Sequence, residues 1–177
     1  MMKALFIVAQ QNYRDEELDI PKGILEKEGI ECDVSSLEKG IARGSNGSTI
    51  EIKKSLYDIN LDEYDAVVFI GGSGALELIN YPVVARIAVN AYEQKKIIGA
   101  ICIAPVILAE AGVLYKKNAT VFLNETSRRS FLSNKVNLIE LDVVQDDNII
   151  TANGPRSAEK FAKALLNELN RKKNENS

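Results

Sequence analysis

The chain has 177 residues, of which 46% are hydrophobic and 27% charged, and its formal net charge is −3. A chain of this length buries a substantial core without disulfides or metal ions, and its acidic balance argues against a nucleic-acid partner, since nucleic-acid-binding domains are normally basic. The sequence contains no histidine, which excludes Ser-His-Asp triads, Cys-His dyads and imidazole-bound zinc.

Strands and helices alternate along the first two thirds of the sequence. Apolar runs predict three buried parallel strands, at residues 4–9, 65–70 and 97–101, and residues 30–35 are predicted as a further strand, the second in chain order. Helices follow the first, third and fourth of these strands. Pro21 makes the first helix start late or bend, and the other two begin at Pro82 and Pro105. Between the second and third strands, Asn46-Gly47 predicts a hairpin.

The last third of the sequence predicts a short strand, a second hairpin and a final helix. The strand covers residues 120–123, the hairpin turns at Asp146-Asp147, and the helix begins at Pro155. The polar residues 171–177 are expected to fray.

This order of elements predicts one α/β domain over residues 1–170, a three-layer sandwich with a mostly parallel sheet. Ligands bind at the carboxyl ends of the strands in such sheets, which makes loops 10–17, 71–75 and 102–105 the candidate site. The apolar N-terminal run is too short for a signal peptide or a membrane span. We therefore expect a cytoplasmic protein with reduced thiols and no membrane contact.

The glycine-rich loop 71–75 has two interpretations. It is either a tight turn that only glycine can make or a set of bare amides that binds an oxyanion. Glu77 stands where the dinucleotide fingerprint requires glycine, and the Walker lysine is missing. Nucleotide or flavin binding therefore has little support, and no cofactor is predicted.

Cys102 follows the fourth strand, next to the helix that Pro105 begins, as a nucleophile at a strand-to-helix elbow would. A helix N-terminus favours a thiolate. The alternative interpretation is a small buried hydrophobe, because the surrounding segment is apolar. Cys32 lies within a predicted strand, away from any helix terminus, and is interpreted as structural. Two cysteines cannot form a Cys₄ zinc site, and no metal is predicted.

The loop before the first helix is acidic. The carboxylates of residues 15–17 either stabilise the helix N-terminus or, in one case, point into the crevice at the strand ends. Asn12, Tyr13 and Arg14 are candidates for the mouth of this crevice.

Four segments, taken together and in this order, resemble the ThiJ/PfpI superfamily, which includes protein deglycases and PfpI-type intracellular peptidases. They are Glu-Leu-Asp-Ile-Pro at 17–21, Gly-Gly-Ser-Gly-Ala at 71–75, Ala-Ile-Cys-Ile-Ala-Pro at 100–105 and Ile-Thr-Ala-Asn-Gly-Pro at 150–155. The resemblance covers the chain to about residue 169 and favours the functional interpretation of the cysteine.

The resemblance implies a flavodoxin-like fold and a homodimer. It also implies that Cys102 is the reactive cysteine, that Glu17 is its partner carboxyl, and that the oxyanion amides belong to Gly72 and Ile103. The other residues it implies near the substrate are Gly71, Ser73, Gly154 and Pro155.

The sequence departs from the family because it lacks the family histidine. The peptidase branch has histidine directly after the cysteine, where this chain has Ile103, and the deglycase and glyoxalase branch has one that aligns near Phe122 or Leu123. The resemblance implies chemistry on small reactive carbonyls, an aldehyde or a glycated substrate, and without histidine we expect it to proceed through a Cys102 thiolate and a protonated Glu17. Peptide hydrolysis is disfavoured, because it needs a further proton-transfer group. The alternative is a redox sensor or chaperone that uses an oxidisable cysteine.

Overall fold

The computed structural model describes residues 1–177 as eleven strands and five α-helices. The strands are β1 (Lys3–Ile7), β2 (Gln11–Tyr13), β3 (Glu31–Ser35), β4 (Gly40–Gly44), β5 (Thr49–Ile52), β6 (Ala66–Phe69), β7 (Ile97–Ile101), β8 (Asn118–Ala119), β9 (Asn137–Leu138), β10 (Val143–Asp146) and β11 (Ile149–Ala152). The helices are α1 (Asp15–Lys27), α2 (Pro82–Glu93), α3 (Pro105–Glu110), α4 (Glu125–Ser133) and α5 (Ala158–Glu175).

Six strands form the central sheet in the order β10-β11-β7-β6-β1-β3. All neighbours in it are parallel except β10 and β11, which form the second predicted hairpin. The three predicted parallel strands correspond to β1, β6 and β7 and the further predicted strand to β3, so the mostly parallel sheet is confirmed. The first predicted hairpin is also present, as β4 and β5, and it forms a separate three-stranded sheet with β2.

Both faces of the central sheet are covered by helices. The side chains of β1 show this division, because successive strand residues point to opposite faces. Leu5 and Ile7 join the core beneath α2 and α3, whereas Ala4 and Phe6 join the core beneath α1 and α5. The result is the predicted three-layer, flavodoxin-like sandwich. None of its helices combines the length and apolar composition that crossing a membrane requires.

The predicted strand at residues 120–123 is wrong. The strand in this region is β8, which ends at Ala119 and pairs with β9. Residues 120–123 instead donate hydrogen bonds to separate partners: the Thr120 amide to Thr151 Oγ1 at 3.0 Å and the Phe122 amide to the Cys102 carbonyl at 2.7 Å. This segment is therefore held against the end of β7 without becoming a strand.

The last helix differs from its prediction at both ends. A 3₁₀ turn at Pro155–Ser157 precedes it, so α5 begins at Ala158. At its other end α5 continues to Glu175, into the segment that the sequence predicts to fray. Arg171 pairs with Glu168 and Glu175, one turn away on either side, and these contacts support the added turn.

Candidate active site

Cys102 lies at the turn between β7 and α3, at the carboxyl edge of the sheet. Its φ of 63° is in the left-handed region, which is uncommon for a residue other than glycine. The backbone is held on both sides: the Cys102 amide donates to the Ala152 carbonyl at 2.9 Å, and its carbonyl accepts from the Phe122 amide. These contacts fix a sparsely populated conformation, which is typical of functional sites.

Glu17 lies in the first turn of α1 and is fully buried. Its Oε2 accepts a hydrogen bond from the Gly71 amide at 2.9 Å, whereas its Oε1 is buried with no hydrogen-bond partner.

The helix begins at Asp15 and contains Pro21 in its interior, so the proline does not delay it. Because proline has no N–H to donate to the carbonyl four residues earlier, it also leaves the Glu17 carbonyl without its helical bond.

Gly71 is the reason that Glu17 and Cys102 can approach each other. A Cβ at this position would lie 2.6 Å from Glu17 Oε2, 2.8 Å from Cys102 Cβ and 2.8 Å from the Ile101 carbonyl oxygen. Such separations are far inside van der Waals contact. The absent side chain therefore provides the space in which the carboxyl and the cysteine meet.

Glu17 and Cys102 titrate as a coupled pair. Burial raises the pKa of Glu17 to about 7. Burial and the negative charge of Glu17 raise the pKa of the Cys102 thiol to about 12, although the amides of Ile103 and Gly72 act to lower it. The helix N-terminus predicts a lowered thiol pKa, whereas desolvation and the neighbouring carboxylate act in the opposite direction to the amides. From neutral to moderately alkaline pH, the pair carries one proton and one negative charge.

A cavity of about 440 Å³ opens on this pair. Its lining comprises Arg14, Glu17, Gly72, Ser73, Leu76, Cys102, Ile103, Phe122, Asn124 and Pro155. The family resemblance placed six of these at the site: both members of the pair, both amide donors, Ser73 and Pro155. Gly71 lies behind the pair rather than on the wall, and Gly154 does not line the cavity.

The crevice mouth is lined by only one of its three sequence candidates. Arg14 lines the cavity, whereas Tyr13 is buried in the core and Asn12 is outside the lining. The sequence reasoning did not identify Leu76 or Asn124, and it treated Phe122 only as a position where a histidine is missing. No local pattern indicates these residues, because they reach the cavity from segments that follow two different strands, β6 and β8.

Cys32 is separate from this cavity. It lies on the edge strand β3, where its Sγ donates to the Ile30 carbonyl at 3.6 Å. Burial raises the pKa of the Cys32 thiol to about 12. It has neither an amide pair nor a carboxyl partner of the kind Cys102 has, which agrees with its interpretation as structural.

The raised pKa of Glu17 predicts a pH-dependent stability. The folded protein binds the Glu17 proton more tightly than the unfolded chain, so this group's contribution to the unfolding free energy is fully present below about pH 4.5. It is lost as pH rises to about 7. Glu17→Gln cannot titrate and should be more stable than the wild type at pH 8, by about 1–3 kcal/mol, but not at pH 4.5. Denaturant titrations across this range measure the difference.

The matched control is Glu159→Gln, which removes an exposed carboxylate from the first turn of α5. This variant should keep the pH slope of the wild type. An unchanged slope in Glu17→Gln would show that the buried carboxyl does not carry the effect.

These features define a class of flavodoxin-like proteins with a cysteine at the end of a central strand and a buried carboxyl from the first helix beside it. The model of the DJ-1/PfpI family matches residues 2–168. The chain belongs to this family, which confirms the resemblance seen in the sequence.

Two relatives illustrate the range of the family. The chain is 36% identical to the uncharacterized protein MJ0967 of Methanocaldococcus jannaschii over 165 residues, covering 93% of this chain and 80% of that one. It is 31% identical to the deglycase PfpI of Pyrococcus furiosus over 154 residues, covering 87% and 91%. A more distant relative, 22% identical over 94% of this chain and 88% of its own, is the glutathione-independent glyoxalase DJR-1.2 of Caenorhabditis elegans.

The fold also matches a solved structure. The ThiJ/PfpI domain protein of Brachyspira murdochii superposes with a TM-score of 0.91 at 32% sequence identity, and the match covers 96% of both chains. This agreement confirms the flavodoxin-like architecture.

Proposed function

We propose that this protein transforms small reactive carbonyls, with Cys102 as the nucleophile and Glu17 as the proton-transfer group. The observation that carries the proposal is the pairing of these side chains in one cavity, with Glu17 Oε1 lacking any protein partner. Relatives named deglycase and glyoxalase support the same class of substrate. The φ of 63° at Cys102, at a turn between a strand and a helix, supports a nucleophile elbow at this residue.

The reaction proposed for a 2-oxoaldehyde needs no external oxidant. The Cys102 proton moves to Glu17 as the sulfur adds to the aldehyde carbon, and the amides of Gly72 and Ile103 stabilise the resulting oxyanion. Glu17 returns its proton to that oxyanion, which gives a hemithioacetal, and its carboxylate then removes the hydrogen on the same carbon as a proton. Glu17 delivers this proton to the neighbouring ketone carbon, while the hemithioacetal hydroxyl proton passes to the ketone oxygen. The aldehyde carbon is thereby oxidised to a thioester and the ketone reduced to an alcohol. Water hydrolyses the thioester, which releases a 2-hydroxy acid and restores the thiol.

One proton-transfer group is compatible with this sequence of steps, because the proton that Glu17 takes can be returned to the same substrate. Glu17 is suited both to taking up a proton and to returning it, since its pKa of about 7 lies near neutral pH. Peptide hydrolysis needs an acid for the leaving amine and a base for water, and the cavity offers no second group of this kind. We therefore do not assign peptidase activity.

A redox sensor is less well supported than carbonyl chemistry. Peroxide reacts with thiolates, and the thiol pKa of Cys102 is raised rather than lowered. Sensing would be favoured only if mild peroxide oxidised Cys102 rapidly while methylglyoxal left it unchanged. The homodimer and the cytoplasmic location stay predictions.

The test follows lactate formation from methylglyoxal in the Cys32→Ser variant, which leaves Cys102 as the sole thiol. We expect lactate above the buffer rate, and we expect iodoacetamide to abolish it in proportion to the Cys102 alkylation measured by peptide mass spectrometry. Methylglyoxal should slow this alkylation. Full activity after complete alkylation, or no lactate from the wild type, contradicts the proposal.

A further inference from the structure

We propose that Arg14 selects carbonyl substrates that carry a second, anionic group, such as a 2-oxoaldehyde with a terminal carboxylate. This inference rests on the proposed function and adds the substrate class. It depends on the placement of one guanidinium in the wall of the cavity that contains Cys102 and Glu17.

The guanidinium of Arg14 is held in place from outside the cavity. Its Nε donates to Glu16 Oε2 at 2.6 Å, and Glu16 Oε1 accepts from Asn46 Nδ2 at 2.7 Å. Glu16 does not line the cavity. This chain of contacts anchors the guanidinium to the turn between β4 and β5, which Asp15 also binds through the amides of Asn46 and Ser48.

The remaining donors of Arg14 are free. Neither Nη1 nor Nη2 has an acceptor in the protein, and these two nitrogens form the fork that binds carboxylates. The Arg14 side chain is 42% exposed, so a ligand can reach it. Arg14 lines the same cavity as Glu17 and Cys102, so a ligand in this cavity can contact the guanidinium and the pair together.

Two other polar side chains that line the cavity, Ser73 and Asn124, also offer hydrogen-bond donors to a ligand. The Ser73 hydroxyl has no partner, and Asn124 uses its Oδ1 to accept from the Ser127 amide, which leaves its Nδ2 free. Among the residues that line the cavity, Glu17 is the only one with a carboxyl group. A substrate that extends from the sulfur to the rim therefore meets hydrogen-bond donors, which match a carboxylate.

The experiment compares 4,5-dioxopentanoate with 2-oxopentanal, which has a methyl group in place of the carboxylate. We expect wild-type kcat/KM to favour the anionic substrate by about tenfold, as one charge-assisted hydrogen-bond pair at a partly exposed site provides. Arg14→Gln should remove this preference, which is measured as the ratio of kcat/KM for the two substrates within the variant, and Arg14→Lys should restore part of it. Arg86→Gln, which makes the same charge change on the exposed face of α2, should keep the preference.

The outcomes separate the two proposals. If the wild type turns over neither substrate, the proposed function is contradicted. If it turns over both with equal kcat/KM, or if Arg14→Gln keeps the preference, only the role of Arg14 is overturned. Raising the salt concentration should weaken the wild-type preference for the anionic substrate. In Arg14→Gln, salt should not change the ratio of the two kcat/KM values.

Discussion

Glu17→Gln is expected to lower kcat for methylglyoxal by roughly 10²–10⁴-fold, the usual cost of removing a general acid or base. Glutamine keeps the size of the side chain and can still accept the Gly71 hydrogen bond through its oxygen. It cannot accept the Cys102 proton. KM should change much less than kcat, because the carboxyl acts on the reacting atoms and is not needed to bind the carbonyl.

The pH dependence of kcat/KM tests the role of Glu17 more sharply than the loss of kcat does. Wild-type kcat/KM should rise with an apparent pKa of about 7, because only the pair that has lost one proton can form the thiolate. A thiolate with a neutral carboxyl and a thiol with a carboxylate have the same net charge, so their ratio does not vary with pH. Glu17→Gln should lose this rise. A rise that survives the substitution, or one centred near pH 4.5, would contradict the assignment.

The same ionisation has opposite effects on stability and on catalysis. As pH rises towards 7, the protein loses the stability that comes from a neutral buried carboxyl and acquires the charge that its chemistry requires. Glu17→Gln should therefore be the more stable and the less active protein at pH 8. Such a trade-off is common where an active site holds a group in an unfavourable environment.

Gly71→Ala is expected to destabilise the protein by about 3 kcal/mol, which corresponds to a loss of roughly 10 °C in Tm. The new methyl group would overlap Glu17 Oε2, Cys102 Cβ and the Ile101 carbonyl oxygen, and the last of these belongs to the central strand β7 and cannot move freely. Any shift that relieves the overlap separates the carboxyl from the sulfur. Turnover should therefore fall even at temperatures where the variant remains folded.

Gly23→Ala is the matched control for this substitution. A Cβ at Gly23 would meet nothing within 4 Å, and the residue lies inside α1. Alanine there should raise the unfolding free energy by about 0.5–1 kcal/mol, because it favours the helix more than glycine does. Thermal and denaturant unfolding of both variants measure the contrast. Equal stability of Gly71→Ala and the wild type would show that the site can accommodate the methyl group and that Gly71 does not control the approach.

The sequence by itself determined the architecture, and its family resemblance pointed to the pair of residues at the candidate site. Continuous apolar runs such as residues 4–9 are sufficient to indicate strands buried on both faces, and their alternation with helices restricts the fold to a doubly wound sheet. The position of Cys102 after a central strand, together with the four family segments, was sufficient to select it and Glu17. Local spacing carries the information on the strands and helices, because each segment folds into one element, whereas the selection of Cys102 and Glu17 came from the family resemblance.

Only the tertiary structure decided the protonation behaviour and the walls of the cavity. The helix N-terminus beside Cys102 predicts a lowered thiol pKa, yet burial and the Glu17 charge raise it, and neither burial nor the distance between distant residues can be read from local sequence. The segment at 120–123 resembles a strand but is held by separate hydrogen bonds beside Cys102. Arg14 and Asn124 reach the same cavity from loops 110 residues apart in the sequence, because the packing of the layers, and not the spacing along the chain, brings them together.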